Sequence, residues 1–333
     1  METQSKVYGR SLVEWAKDKP EVLVLSADLT SSCEIDLFRD AYPDRFLNMG
    51  IAEQNMHSVA AGLAGEGFEP FLHTFAVFMY RRSLDQIMMS IAYMNRRVRM
   101  VGFLPGMLTP GGSTHQATED VAVLRAVPNL TILECGDAAD VASVLPVAHA
   151  VDGPVYLRMI RAIIPKLFNE PMEFGKARML SPGDDLVLVT SGICTEEAMR
   201  ATRALAKEGL KMSHFHVSTL KPFDDPRVLQ AIAKSKYGAV TMENHSTIGG
   251  LGTIIAEKIA EYGIGKKLSK IGLNDTFAHG ATRPYLMKEY GLDAMALVQR
   301  IGTITGELFS ISEGDIDAVV LEPVNNQDKA EGL

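Results

Sequence analysis

Short apolar runs alternate with stretches of helical spacing along most of the chain. Residues 22–26 (Val-Leu-Val-Leu-Ser) form an apolar run of strand length, as expected of a strand buried on both faces. Helical spacing precedes it over 8–17, and a polar loop follows over 28–32. A second short strand is expected at 45–49. After Gly50, residues Met56, Val59, Ala60, Leu63 and Ala64 fall on one stripe of a helix. The same reading predicts strands at 70–74, 97–103, 130–133 and 155–158. It places helices at 75–93, from about 115 to 127, and at 138–150, with a Gly/Pro-rich loop over 105–114.

Pro165, Pro171, Gly175 and Pro182 then interrupt a weakly periodic stretch, which reads as a linker. The alternation resumes with strands at 186–190, 211–217, 237–243 and 269–273, and closing helices at 283–290 and 293–304. Repeated β-α alternation predicts an α/β protein of two doubly wound parallel-sheet domains. The expected division is a first domain over 1–165, a linker over 166–182, a second domain over 183–319, and a frayed polar tail over 320–333.

A length of 333 residues accommodates this division. With 47% hydrophobic and 22% charged residues, the chain is not intrinsically disordered. A net charge of −8 argues against a nucleic-acid or anionic-membrane partner, but a few local arginines could still hold a small anion. Cys33, Cys135 and Cys194 are far apart and form no Cys-x-x-Cys pair, so neither a disulfide framework nor a structural zinc site is expected. No apolar run reaches the ~18 residues of a membrane span, and the first residues lack a signal pattern. The chain reads as cytoplasmic and soluble.

In such sheets ligands lie beyond the carboxyl ends of the strands. Glu53 stands at one such turn into a helix, where a carboxylate commonly complements the helix dipole. Its small apolar neighbours also allow burial, which raises a carboxyl pKa while the helix terminus lowers it. A buried glutamate sharing a proton with a ring nitrogen would be an acid–base device. Phe75 and Phe78, at i and i+3, share a face that is either core or a platform for a flat heterocycle. Residues Ser113 to Gln116 fit a capping box, with His115 incidental, or present His115 to a phosphate or sugar hydroxyl. Arg158 and Arg161 follow a strand, where a solvated role is the default. Arg161, past the strand end, could also grip a phosphate. Arg10 is ambiguous alone. Gly249-Gly-Leu-Gly252 lacks the third glycine of a dinucleotide fingerprint, so helix–strand packing explains it better.

Taken in order, Leu25-Ser-Ala-Asp-Leu-Thr, Gly50-Ile-Ala-Glu-Gln-Asn, Thr74-Phe-Ala-Val-Phe, Ser113-Thr-His-Gln, Arg125-Ala-Val-Pro-Asn and Val240-Thr-Met-Glu-Asn-His resemble the transketolase superfamily. Asp275-Thr-Phe and Tyr290-Gly-Leu extend the likeness, which covers about residues 5 to 310. It implies the pyrimidine-binding and C-terminal domains of an enzyme that uses thiamine diphosphate. By resemblance, Glu53 hydrogen-bonds N1′ of the aminopyrimidine, Phe75 and Phe78 pack on that ring, Asp28 lines the same pocket, and Ile51 helps hold the bent cofactor. Arg10, Ser32 and Arg161 correspond to phosphate-gripping positions, and His115 to a substrate-hydroxyl contact.

The likeness has departures. The loop over 105–112 is a residue shorter than usual. Gly111 stands where many relatives have an aspartate, and a histidine usual in that loop has no counterpart near Phe103. These departures leave the donor sugar open. No Gly-Asp-Gly segment with a downstream asparagine, the holder of diphosphate and metal, occurs in the chain. The implied protein is the beta-type subunit of a split transketolase in an α2β2 assembly. Its partner, an N-terminal subunit, would bind the diphosphate and most of the Mg2+ or Ca2+, with no metal ligand in this chain. Such an enzyme transfers a two-carbon ketol unit between phosphorylated sugars. The alternatives are a relative of 1-deoxyxylulose 5-phosphate synthase, a 2-oxo acid dehydrogenase beta-like subunit, and a non-catalytic α/β partner.

Overall fold

The computed structural model describes residues 1–327. In chain order the strands are β1 (Thr3–Ser5), β2 (Val22–Ser26), β3 (Phe46–Asn48), β4 (Glu69–Phe75), β5 (Arg99–Phe103), β6 (Thr131–Glu134) and β7 (Val155–Met159). They continue with β8 (Ile163–Pro165), β9 (Arg178–Asp184), β10 (Leu186–Thr190), β11 (Met212–His216), β12 (Thr219–Lys221), β13 (Ala239–Ser246) and β14 (Leu268–Leu273). The central strands β2, β5, β7 and β10 are buried at every residue, so they do not alternate; β2 and β10 read as apolar runs, while β5 and β7 each bury an arginine, Arg99 and Arg158.

The first sheet runs β12-β6-β7-β5-β4-β2-β3 and the second β14-β13-β10-β11-β9. Both are parallel apart from one antiparallel edge strand each, β12 against β6 and β9 against β11. β12 is contributed by the second half of the chain, which thereby supplies an edge strand to the first sheet. β1 and β8 form a separate antiparallel pair.

Four features depart from the sequence reading. The stretch expected as linker ends in β9, whose Pro182 and Gly183 look like a turn in sequence. An edge strand tolerates proline, and a side chain at Gly183 would fall 2.4 Å from the Lys211 carbonyl carbon. The helix expected over 75–93 is two pieces, Ala76–Arg81 and a π-helical Gln86–Ala92, separated by a turn. The tail is not frayed where it is described. Leu321 is buried, and Val324 exchanges backbone hydrogen bonds with the Leu167 carbonyl (2.8 Å) and the Asn169 amide (3.1 Å). The remainder of that tail, 328–333, lies outside the described residues. Arg158 is not solvated. It is 1% exposed inside β7.

Five histidines, His57, His73, His214, His216 and His245, are buried among the described residues. Burial lowers His57 and His245 to about 4, and His73 and His214 to about 3, so the folded chain keeps them neutral. Unfolded, they take up protons below about 6.5. Acidification through that range therefore favours the unfolded state. Burial also raises Glu243 to about 7 and Asp137 to about 6, and these carboxyls, protonated earlier in the folded chain, act in the opposite sense. Burial holds Glu134 and Glu197 above the usual carboxylate range as well, but the four neutral histidines together outweigh the carboxyls. Stability should fall by on the order of a few kcal/mol from about pH 7 to about pH 5. Urea denaturation at the two pH values checks this, and an equal or higher midpoint at the lower pH would contradict it.

Candidate active site

The loops leaving the carboxyl edge of the first sheet converge. Three of them begin with strained backbone: Asp28 after β2, Leu104 after β5 and Ala162 after β7 have φ of 61, 57 and 69°. Left-handed conformations cost non-glycine residues about 1 kcal/mol or more and persist where surrounding structure over-determines them. Gly50, with φ of 71°, makes the corresponding turn after β3 without that cost.

That turn delivers Glu53 as the first residue of helix Glu53–Gly65, which has no side-chain cap. Its carboxylate is 4% exposed. Both oxygens accept from Arg82 Nη1, at 2.9 and 3.0 Å. The same guanidinium lies 4.4 Å from the centre of the Phe78 ring. Phe78 is stacked with Phe75 (6.1 Å, 21°) and meets the His115 ring edge-on at 5.3 Å. Glu53, Arg82, Phe78, Phe75 and His115 thus form one contiguous cluster from three separate loops. Both phenylalanines are half-buried, and the buried hydroxyl of the adjacent Thr74 has no hydrogen-bond partner.

Arg82 was not singled out from the sequence. The available signal was its i+4 spacing from Phe78, which carries its side chain back over that ring. Its guanidinium shows what the pocket accepts: a flat, cationic hydrogen-bond donor, stacked on an aromatic ring and held by a carboxylate. An aminopyrimidine protonated at a ring nitrogen has the same features, so these residues fit the pyrimidine end of thiamine diphosphate. Among the described residues no group of three or more His, Cys, Asp or Glu is arranged to hold a metal ion.

Two implied pocket residues sit on the rim. Asp28 is exposed and accepts from Asn48 Nδ2 at 3.0 Å, and Ile51 is 76% exposed. Among the described residues, no hydrogen bond or ion pair joins either to Glu53 or Arg82.

Glu34 gathers the residues read as anion-binding. Its carboxylate accepts from the Ala162 amide at 3.0 Å. Its carbonyl lies 2.2 Å from where a side chain at Gly9 would begin, so helix Val7–Trp15 packs tightly on the loop. These contacts join the three segments that carry Arg10, Ser32 and Arg161. Arg161 Nε is buried without a hydrogen-bond partner, and the side chain borders a cavity of about 280 Å³.

Other local readings resolve too. Helix Asp120–Arg125 starts after Ser113–Gln116 and has no side-chain cap, so the capping-box reading fails. At Gly249–Gly252 the N-terminus of helix Leu251–Glu261 is already filled. The Glu243 carboxylate accepts from the Leu251 and Gly252 amides at 2.6 and 2.8 Å. Arg158 bridges the two halves of the chain, with Nε on Asp120 at 2.9 Å, Nη1 on Glu134, and Nη2 on the Asn244 carbonyl at 3.2 Å.

Fold and cluster define an α/β protein with a buried glutamate and two half-buried phenylalanines at the carboxyl edge of its first sheet. Comparison with known proteins places it further. The family model "Transketolase, pyrimidine binding domain" matches residues 3–166, and "Transketolase, C-terminal domain" matches residues 175–297. A transketolase family protein of Sinorhizobium fredii is 38% identical over 303 residues, covering 90% of this chain and 88% of that protein. The 6-deoxy-6-sulfo-D-fructose transketolase subunit of a Clostridium strain is 37% identical, covering 90% and 93%. A solved structure described as a split gene transketolase, inactive beta4 tetramer, is 36% identical with a TM-score of 0.83, covering 90% and 97%. A 1-deoxy-D-xylulose-5-phosphate synthase of Chlorobium phaeovibrioides is 34% identical, but the chain spans only 47% of its length. The chain belongs to the transketolase family. Its pyrimidine-binding domain implies dependence on thiamine diphosphate.

Proposed function

We propose that this chain is the beta-type subunit of a split transketolase, which moves a two-carbon ketol unit between phosphorylated sugars in the cytoplasm. The observation that carries the reading is the Glu53–Arg82–Phe78–His115 cluster. Glu53 holds a proton at the pyrimidine ring nitrogen once Arg82 yields its place. Phe75 and Phe78 orient the ring and keep water from it, with Asp28 and Ile51 at the rim. When bound, thiamine diphosphate supplies the electron sink for breaking the bond beside a ketose carbonyl. His115 contacts a sugar hydroxyl. Arg10, Ser32 and Arg161 hold the anionic end of the sugar. An N-terminal partner subunit holds the diphosphate and a divalent cation in an α2β2 assembly. The pyrimidine-binding part is assigned to 1–165 and the C-terminal domain to 183–319.

A second reading of the anion has support in a relative named for 6-deoxy-6-sulfo-D-fructose. A sulfonate offers Arg161 the same oxygen acceptors as a phosphate.

The test uses the chain reconstituted with its partner. Arg161→Ala should raise KM for ribose 5-phosphate about tenfold, the effect of losing one charge-assisted hydrogen bond, and KM for ribose by less than about twofold. Equal effects on both acceptors would remove Arg161 from the anion site. Turnover of the sulfosugar but not of xylulose 5-phosphate would select the sulfonate reading.

A further inference from the structure

The loop over 104–118 carries His115 and has no helix or long strand of its own. Ordering the backbone of such a segment costs about 1 kcal/mol or more per residue, so something outside the loop must hold it. Arg81 of the first domain donates to the Ser113 and Gln116 carbonyls at 3.1 and 3.2 Å, and further ties come from the second half of the chain. Buried Asn244, near the end of β13, accepts from the Met107 amide at 3.0 Å and donates to the Pro105 carbonyl at 3.2 Å. Further along, Ser113 Oγ donates to the Ala278 carbonyl at 2.9 Å. Gln116, 1% exposed, donates through Nε2 to the Thr109 carbonyl at 3.3 Å and the His279 carbonyl at 3.2 Å. The backbones close up as well, since a side chain at Gly112 would begin 3.2 Å from the Gly280 nitrogen.

Asn244 and residues 278–280 all leave the carboxyl edge of the second sheet. In a sheet of this type that edge is where a ligand would bind. Here it grips a loop of the first domain. The His115 ring meets Thr114 Oγ1 at 2.9 Å and the edge of Phe78, and its amide donates to the Gly112 carbonyl at 2.8 Å. It lies between Ser113 and Gln116, both tied to 278–279.

We propose that the loop following β14 is the positioning element for His115, with Gln116 as the positioning residue. The second domain thereby sets how the enzyme reads sugar hydroxyls. The inference rests on the reading of His115 as a substrate contact.

Gln116→Met keeps the volume and removes both donors. In the reconstituted two-chain enzyme it should raise KM for ribose 5-phosphate about five- to tenfold, with kcat within about twofold. The double variant with His115→Ala should be no worse than His115→Ala alone, because both changes act through one ring. In the full chain, deuterium exchange should quicken over 105–118 and stay unchanged in the second sheet. Losses that add in the double variant, or unchanged exchange over 105–118, would overturn the proposal. If His115→Ala alone has no effect, the substrate reading of His115 falls, and the exchange result alone decides whether the second domain holds the loop. Should Gln116→Met not fold, Ser113→Ala, which removes only the tie to Ala278, takes its place with the same outcomes.

Discussion

Glu53→Gln should lower kcat of the assembled enzyme by about a thousandfold or more, while the chain still folds. The glutamine keeps the shape of the side chain but cannot hold or return a proton at the pyrimidine nitrogen. The folding cost is small for a specific reason. Glu53 is buried at 4% exposure, but its partner Arg82 has a side chain 47% exposed. Removing the carboxylate therefore strands no charge in the interior. The pair's contribution to stability is at the level of a half-exposed salt bridge, about 1 kcal/mol or less. Steady-state kinetics with the partner present, together with a thermal melt of the chain, separate the two effects. Retention of more than about a tenth of wild-type kcat would remove Glu53 from the proton path.

Arg158→Ala has the largest expected effect on stability. The guanidinium is 1% exposed and sits between Asp120 and Glu134, both inaccessible to water. Tyr156 adds a hydrogen bond to Asp120 at 2.7 Å. Burial already pushes Glu134 above the usual carboxylate range, against the pull of Arg158. Without the arginine, two buried carboxylates face each other with no cation, and the Asn244 carbonyl loses its donor. Breaking a buried pair from one side costs about 3–5 kcal/mol. The loss should show as a lower urea midpoint near neutral pH. A shift under about 1 kcal/mol would mean that the carboxylates are relieved by protonation or by water.

Much of this architecture is readable before any coordinates. Val22–Ser26 and Leu186–Thr190 announce themselves as doubly buried strands because nothing polar interrupts them. Glu53 and the phenylalanine pair stand at strand-to-helix turns where local pattern alone reads equally as dipole complement and core, and only the resemblance to transketolases singles them out. Other features depend on contacts that no local pattern encodes. β9 contains Pro182 and Gly183, and only its position at a sheet edge makes it a strand. The break between Arg81 and Gln86 has neither glycine nor proline to mark it, yet it turns Arg82 onto Glu53. Arg158 looks like any surface arginine until Asp120 and Glu134 arrive from 38 and 24 residues away. Ser113 reads as a helix cap because its true partner, Ala278, is 165 residues distant.

In the proposed enzyme the cofactor is held from two sides, by this chain at one end and by a second chain at the other. Calorimetric titration of thiamine diphosphate with Mg2+ tests it most directly, first into this chain alone and then into the chain mixed with its N-terminal partner. The expected result is binding at least about a hundredfold weaker for the single chain, with tight binding restored by the partner. Equally tight binding to the chain by itself would contradict the shared site.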